Sequence, residues 1–270
     1  MKIINLISII LLCILLNSCK FTIIDGEILN LSNFKIRERV IRFPLNDTTQ
    51  IMLRNDKDIR KYTSRSIAER SKINFIYYSF GDSSEITDYI NDFPNLSEIY
   101  FNWPYASINI SETPKNLKSI IISSTEPPIK NITSLKNIER IVFTEAFDND
   151  NYYSNILKDF PNLMDLTLDI PTKYFSIPKN VIALNNLEKL TINRTKFKKI
   201  PSEICKMKGL KELTIESDRF LKVPDCIFKM DSLRVITMIG TDKDVAKFYE
   251  KYKDKNQRIQ IKTIGGKEYY

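Results

Sequence analysis

The chain has 270 residues, of which 43% are hydrophobic and 27% are charged, so it is long and apolar enough to bury a core. It contains no histidine, which excludes Ser-His-Asp and Cys-His catalysis, histidine-ligated zinc and histidine-based pH switching. No glycine-rich phosphate-binding motif is found either, and we expect a protein that is not an enzyme and uses no cofactor or metal.

The net charge of +8 is unevenly distributed along the chain. Residues 171–270 hold 22 Lys and Arg against 12 Asp and Glu, whereas residues 1–170 hold 19 against 21. A basic C-terminal third could face an anionic polymer or a lipid head group. The plainer interpretation is a solvated surface that is rich in lysine.

The N-terminal segment has the layout of a bacterial secretion signal. Lys2 precedes an apolar run over residues 3–16, which is short for a membrane span. Residues 16–19, which read LNSC, resemble the lipobox of bacterial lipoproteins. This resemblance implies that residues 1–18 are removed as a signal peptide and that Cys19 carries fatty acyl chains such as palmitate. Two or three such chains would hold the protein on a membrane, since a single chain binds only weakly.

Two other interpretations of this segment remain open, an ordinary cleaved signal and an uncleaved anchor. Either one would also place the mature chain outside the cytoplasm. We therefore expect a protein of the bacterial cell envelope, attached through a lipid on Cys19 to the outer membrane or the cell surface.

Residues 19–72 are expected to form the lipidated N-terminus and an N-terminal cap, with a strand over residues 50–54. From residue 73 to residue 241 one short pattern recurs about eight times. It is clearest where Leu187, Leu210 and Leu233 stand 23 residues apart and each open a segment of the form L-x-x-[LI]-x-[IM]. The first two of these segments are followed by [IV]-P-x-x-I. A fixed period of this length is typical of supersecondary units stacked on one another.

These repeats resemble those of the leucine-rich repeat family over about residues 73–241, most specifically over residues 163–241. The resemblance implies an α/β solenoid, or horseshoe, with a parallel concave sheet and short helical or 3₁₀ returns on the convex side. The alternation within each L-x-x-L-x-L segment supports a strand, because alternate residues would point into the core.

One departure from the family pattern recurs in every unit. The asparagine that follows the strand in the family is replaced by threonine, aspartate, proline or alanine, at positions 104, 125, 146, 171, 195, 218 and 241. Threonine and aspartate can form some of its hydrogen bonds to neighbouring turns, but proline and alanine side chains cannot. We therefore expect less regular turns in the N-terminal half.

Residues 242–270 are expected to form a C-terminal cap with a helix and a strand. Thr241 and Asp244 are spaced as in a capping box at the start of a helix. The apolar stripe of that helix, interpreted as cap core, consists of Val245, Phe248, Tyr249 and Tyr252. Ile259 and Ile261 then predict a closing strand.

Cys205 and Cys226 lie on the convex side of adjacent repeats. An oxidising envelope would permit a disulfide between them. Because their repeat phases differ by two residues and a bridge needs close Cα atoms, two small buried thiols are favoured.

A ligand is expected to bind the strand residues that point away from the core. The candidate contacts are Tyr77, Tyr100, Asn102, Trp103, Arg140, Asp165, Asp169, Lys189, Asn193 and Glu212. Aromatic residues concentrate at the N-terminal end of this set, and tyrosine and tryptophan are enriched at interface hot spots. The plainer interpretation is a solvated strand face, which must carry polar residues and also tolerates tyrosine.

Asp165 and Asp169 are the pair of carboxylates that could suggest a hydrolase. They lie four residues apart on one predicted strand, or about 13 Å, which exceeds the roughly 5–9 Å of glycosidase pairs. We therefore expect a membrane-anchored scaffold that binds a protein partner and catalyses no reaction, with no nucleic acid as a partner. The alternative is binding of an anionic polymer or a lipid head group by the basic C-terminal repeats.

Overall fold

The chain divides into two compact units, Met1–Thr48 and Thr49–Tyr270. The structure, a computed structural model, describes residues 21–24, 27–30, 49–78, 85–102, 107–123, 131–144, 157, 160–169, 179–195 and 198–266. In the first unit the described residues form an antiparallel pair of strands, Phe21–Ile24 and Glu27–Asn30. Cys19 and Trp103 lie outside the described residues.

The second unit contains a ten-stranded sheet whose strand order follows the sequence. The strands are β1 (Gln50–Leu53), β2 (Phe75–Tyr78), β3 (Glu98–Asn102), β4 (Ser119–Ser123), β5 (Arg140–Phe143), β6 (Asp165–Asp169), β7 (Lys189–Thr195), β8 (Glu212–Ser217), β9 (Val235–Ile239) and β10 (Gln260–Ile264). Every neighbouring pair is parallel, so each strand must be followed by a crossover. The expected α/β solenoid of leucine-rich repeat type is confirmed.

Two columns of apolar side chains run through the core on one face of this sheet. The first column consists of Ile51, Ile76, Ile99, Ile120, Ile141, Leu166, Leu190, Leu213, Ile236 and Ile261. The second consists of Leu53, Tyr78, Phe101, Ile122, Phe143, Leu168, Ile192, Ile215 and Met238. None of these side chains is more than 8% exposed. Because each column continues from strand to strand, a repeat is covered only when it has a neighbour on both sides.

In the described residues, short helical segments return the chain behind the sheet. The 3₁₀ turns are Asp88–Asp92, Ile132–Ser134, Ser202–Lys206 and Asp225–Lys229. The α-helices are α1 (Asp56–Thr63), α2 (Ile67–Arg70), α3 (Lys179–Ile182) and α4 (Asp242–Tyr252). Two short parallel strands, Glu85–Ile86 and Ser107–Ile108, join two of the returns. Within the described ranges, no helix has both the length and the apolar character to cross a membrane.

A column of asparagines links successive repeats on the turn before each strand. The residue that precedes the first leucine or isoleucine of a repeat is asparagine at positions 95, 116, 137, 162 and 186. Asn95, Asn116 and Asn186 each donate a side-chain hydrogen bond, 2.7–2.8 Å long, to a backbone carbonyl in the turn one repeat earlier. This column therefore provides bonds between turns that the substituted family asparagine cannot. The turns after β2 to β6 lie largely outside the described residues, so their expected irregularity stays a prediction.

Helix α4 and strand β10 close the C-terminal end of the core. The Thr241 hydroxyl accepts a hydrogen bond from the backbone N–H of Asp244, so the helix begins at the predicted signal. Val245, Phe248 and Tyr252 are buried, as are Ile259 and Ile261 at the closing strand. Tyr249 is 41% exposed, and its assignment to the cap core is wrong. At 3.6 residues per turn it lies beside the buried stripe, on the flank that faces solvent.

The expectation of two buried thiols is also wrong, because Cys205 and Cys226 form a disulfide with their Cα atoms 5.9 Å apart. Both side chains are half-buried, in neighbouring 3₁₀ turns whose central residues, Ile204 and Ile227, are fully buried. With three residues per turn, the residues before and after each isoleucine point to opposite sides of it. Cys205, directly after Ile204, therefore faces Cys226, directly before Ile227. The difference of two residues in repeat phase thus favours the disulfide.

Gly209 takes the place that asparagine occupies before other repeats. A Cβ atom there would overlap the carbonyl oxygen of Asn185 and lie 3.2 Å from that of Leu187. We expect Gly209→Ala to lower the free energy of unfolding by about 1–3 kcal/mol, since both obstructing atoms belong to the backbone. Urea denaturation measures the change, with Lys208→Ala at the exposed neighbouring position as the control. Equal stability of the two variants would contradict the close approach.

Candidate functional site

The face of the sheet that points away from the core, here called the outer face, carries three rows of side chains. The first row consists of Phe75, Glu98, Ser119, Arg140, Asp165, Lys189, Glu212 and Val235. The second consists of Tyr77, Tyr100, Ile121, Val142, Thr167, Thr191, Thr214 and Thr237. The third, at the carboxyl ends of the strands, consists of Asn102, Ser123, Thr144, Asp169, Asn193, Glu216 and Ile239.

Arg140 is the centre of an ionic network in the first row. Its Nη1 atom lies 2.9 Å from Oε2 of Glu98, and its Nε atom lies 3.6 Å from Oδ2 of Asp165. Ser119, on the strand between, donates its hydroxyl to the same Glu98 oxygen at 2.5 Å. Since neighbouring strands are only about 4.8 Å apart, one guanidinium can reach acids on both sides of its strand. The network therefore connects four adjacent strands, β3 to β6.

The same row continues with alternating charge toward the C-terminus. Lys189 lies next to Asp165 in the register, and its Nζ atom is 3.2 Å from Oε1 of Glu212. Burial raises the pKa of the Asp165 carboxyl, and the negative charge of Glu212 adds to the rise, whereas Arg140 and Lys189 oppose it. The pair formed by Lys189 and Glu212 is about half exposed, so solvent screens it and it stabilises the fold little.

The second row is apolar and buried at one end and polar at the other. The rings of Tyr77 and Tyr100 meet edge to face, with their centroids 4.8 Å apart, and are 6% and 0% exposed. Thr191, Thr214 and Thr237 are half-buried. The accessible part of this row therefore lies over β7 to β9. A ligand would reach the two tyrosines only if they became exposed, and their role as ligand contacts stays a prediction.

In the third row Asp169 and Asn193 are both buried, and Asp169 forms an ion pair with Arg194. Arg194 has a φ of 54° at an irregularity in the pairing of β7 with β8, and its Nη2 atom also donates to the Thr144 carbonyl at 3.1 Å. Its guanidinium thus links β7 to residues from the two preceding repeats. Arg194 was not among the residues predicted for this face. The sequence signal for this ion pair is that Arg194 directly follows Asn193, the residue that lies beside Asp169 in the strand register.

The predicted contact residues that the structure describes are therefore distributed over several environments. Arg140, Asp165, Lys189 and Glu212 are brought together in the first row, whereas Asp169 belongs to a separate ion pair. Asn102, at the end of β3, is half-buried. Asp165 and Asp169 are each paired with a different arginine, which suits a structural role better than proton transfer. Within the described parts of the chain, no three acidic or cysteine side chains form a group that could hold a metal ion.

A cavity of about 480 Å³ lies away from the outer face, at the turns before β6 and β7. It is lined by Phe160, Pro161, Leu163, Ala183, Leu184, Asn185 and Asn186. These residues carry no ionisable side chain, so they offer apolar contact and amide hydrogen bonds but no acid or base.

No protein-family model matches the chain, and no curated protein matches it. Among solved structures, the chain is similar to a leucine-rich repeat protein of Leptospira interrogans, with 18% identity over 72% of this chain and 50% of that one and a TM-score of 0.38. It is also similar to a chain of the Toll–Spatzle complex of Drosophila in its glycosylated form, with 11% identity over 92% and 38% of the two chains and a TM-score of 0.45.

A third similar structure is InlP of Listeria monocytogenes, with 15% identity over 71% and 62% of the two chains and a TM-score of 0.32. The chain spans half or less of the length of the Leptospira and Drosophila chains. With such low identities and TM-scores, the fold is assigned from the strand order and register of the chain itself.

Replacement of Arg140 tests the ionic network of the first row. Arg140→Met would leave two half-buried carboxylates without their shared cation, and we expect the free energy of unfolding to fall by about 1–2 kcal/mol after allowance for solvent screening. Asp165→Asn should be close to neutral at pH 7, because it removes a charge that burial already disfavours. Urea denaturation of both variants tests the difference.

The pH dependence supplies the control for this comparison. A raised carboxyl pKa means that the folded chain binds the proton more readily than the unfolded chain, so the contribution of Asp165 to stability increases as the pH falls through that pKa and is complete below the pKa of the unfolded chain. Asp165→Asn should remove this increase. An equal loss of stability in both variants at every pH would refute the central role of Arg140.

Proposed function

We propose that this chain is a membrane-anchored, non-catalytic scaffold that binds a protein partner through the outer face of its sheet. The observation that carries the proposal is the accessible part of that face over β7 to β9. There Thr191, Thr214 and Thr237 lie in one half-buried row beside Lys189 and Glu212. The core lies on the opposite face, so these side chains are available for contact without loss of packing.

The chemistry of this surface suits a protein partner. Threonine offers a methyl group together with a hydroxyl donor and acceptor, and the flanking charges alternate in sign. Alternating charges confer orientation and register on a partner without attracting every polyanion. Two acids of the outer face, Asp165 and Asp169, are held by arginines, which supports recognition over acid–base catalysis.

Attachment outside the cytoplasm is proposed on two independent observations. The first is the LNSC sequence at residues 16–19, which ends at Cys19 after an apolar run. The second is the bridge between Cys205 and Cys226, because disulfides persist in oxidising compartments and are rare in the cytosol. A lipid on Cys19 would display the outer face to partners in the envelope or at the cell surface.

Site-specific crosslinking in intact cells tests the binding face. A photoreactive residue at Thr214 should give a protein adduct, whereas the same residue at Lys229, exposed on a 3₁₀ return, should not. Glu212→Lys should reduce the yield at Thr214 at least severalfold, because it reverses a charge of the proposed contact. Adducts of equal yield from both positions, or none from Thr214, would rule out the outer face as the binding surface.

Replacement of Cys19 tests the anchor. Cys19→Ala should abolish labelling by radioactive palmitate and move the protein from the membrane fraction to the soluble fraction, since no acceptor thiol for the lipid remains. Cys13→Ala, inside the apolar run, should leave both properties unchanged. Unaltered membrane attachment of the Cys19 variant would mean that residues 1–18 are an uncleaved anchor.

A further inference from the structure

Helix α4 carries a stripe of lysines that the fold does not neutralise. Lys243, Lys247 and Lys251 follow at intervals of four residues, so they lie on one side of the helix, and all three are exposed. Like charges at this spacing destabilise a helix. Within the described part of the chain, none of the three forms an ion pair.

The acids of α4 have other partners. Asp242 accepts a hydrogen bond from the backbone of Gly266 at 2.8 Å, and Asp244 accepts one from the hydroxyl of Thr241 at 2.7 Å. Glu250 is paired with Lys253 at 2.7 Å. The positive stripe therefore keeps its charge, although the same helix contains three carboxylates.

Phe220 draws two of these lysines together. The Nζ atoms of Lys247 and Lys251 lie 4.7 and 5.4 Å from the centre of its ring, so they can be no more than about 10 Å apart. The ring itself is half-buried and stacks on Tyr252, with 6.4 Å between centroids and an angle of 5° between planes. An aromatic ring holds an ammonium group in place without cancelling its charge, so both positive charges remain available to an anion.

Three further lysines lie on turns of the repeats that open at Leu187 and Leu210, and one of them, Lys222, is two residues from Phe220. Lys199 and Lys222 form a parallel bridge between neighbouring turns, and the backbone N–H of Lys222 donates to the carbonyl of Lys198 at 2.9 Å. All three side chains are exposed. The Tyr252 hydroxyl accepts from the backbone N–H of Val223 at 2.9 Å and fixes α4 against this turn. The helix and the turns are therefore joined to one another, and both carry exposed lysines.

We propose that this surface, here called the lysine patch, binds the anionic surface of a phospholipid bilayer. The lysine patch consists of Lys198, Lys199, Lys222, Lys243, Lys247 and Lys251. Its charges are spread over a helix face and two turns and all point to solvent, which matches a plane of head groups better than one small anion. Clustered basic residues bind anionic membranes additively, with about a fivefold gain in affinity for each. Exposed lysines with an aromatic side chain at their base are typical of interfacial surfaces.

The lysine patch would thus bring α4 against a membrane, whether or not Cys19 is acylated. The experiment uses the full-length chain, purified in detergent and returned to vesicles of phosphatidylcholine alone or mixed with phosphatidylglycerol. Brief acetylation followed by mass spectrometry measures the reaction rate at Lys222. We expect the rate to fall at least about fivefold on the anionic vesicles only, and the protection to disappear at high salt.

A matched pair of double variants provides the control. Lys247→Gln with Lys251→Gln should remove most of the protection at Lys222. Lys57→Gln with Lys61→Gln, also four residues apart on an exposed helix, α1, should leave it intact, and circular dichroism verifies that each variant is folded. Equal rates on both vesicle types, or equal effects of the two double variants, would overturn the proposal. Protection by soluble heparin but not by anionic vesicles would also overturn it, in favour of a soluble polyanion.

Discussion

The structure depends on one constraint, the parallel register in which each strand lies beside the equivalent strand of the next repeat. Ile120 of β4, for example, lies between Ile99 of β3 and Ile141 of β5, and all three are fully buried. A single repeat could not cover such a residue, so the hydrophobic stabilisation belongs to neighbouring pairs of repeats and not to any repeat alone. The C-terminal cap follows from this constraint, because α4 and β10 must cover the apolar residues at the end of both columns.

The same register determines the electrostatics of the outer face. Equivalent positions lie about 4.8 Å apart, so each charge in a row lies within reach of the charges on either side. In the first row acids and bases alternate from Glu98 through Arg140 to Glu212, and the repeats are joined by side chains as well as by backbone. At the C-terminal end, Lys247 and Lys251 of α4 lie over Phe220, and within the described residues neither forms an ion pair. The charges in the first row of the outer face are therefore paired with one another, whereas the lysines of α4 keep the C-terminal end positive. The two regions suit different kinds of interaction.

Much of the fold was predictable because it depends on spacing. The period of 23 residues and the alternation within each unit indicated parallel strands, the core columns and the start of α4 at Thr241. The candidate site was predictable only in part. Position on a strand identifies the residues of the outer face, but not whether they are covered, and Tyr100 is fully buried although its phase is outward. Arg194 was missed because a local irregularity in β7 redirects its side chain toward Asp169.

The sequence by itself determined the repeat, the strand faces, the uneven charge and the apolar N-terminal run that ends at Cys19, since each depends on the order of residue types along the chain. Tertiary structure alone decided that Cys205 pairs with Cys226, that Asn186 bonds to the previous turn and that Lys251 lies over Phe220. Those contacts join residues between 20 and 35 positions apart through side chains of different repeat phase. A periodic pattern relates residues of equal phase, whereas such contacts depend on the distances and directions that arise when the turns stack.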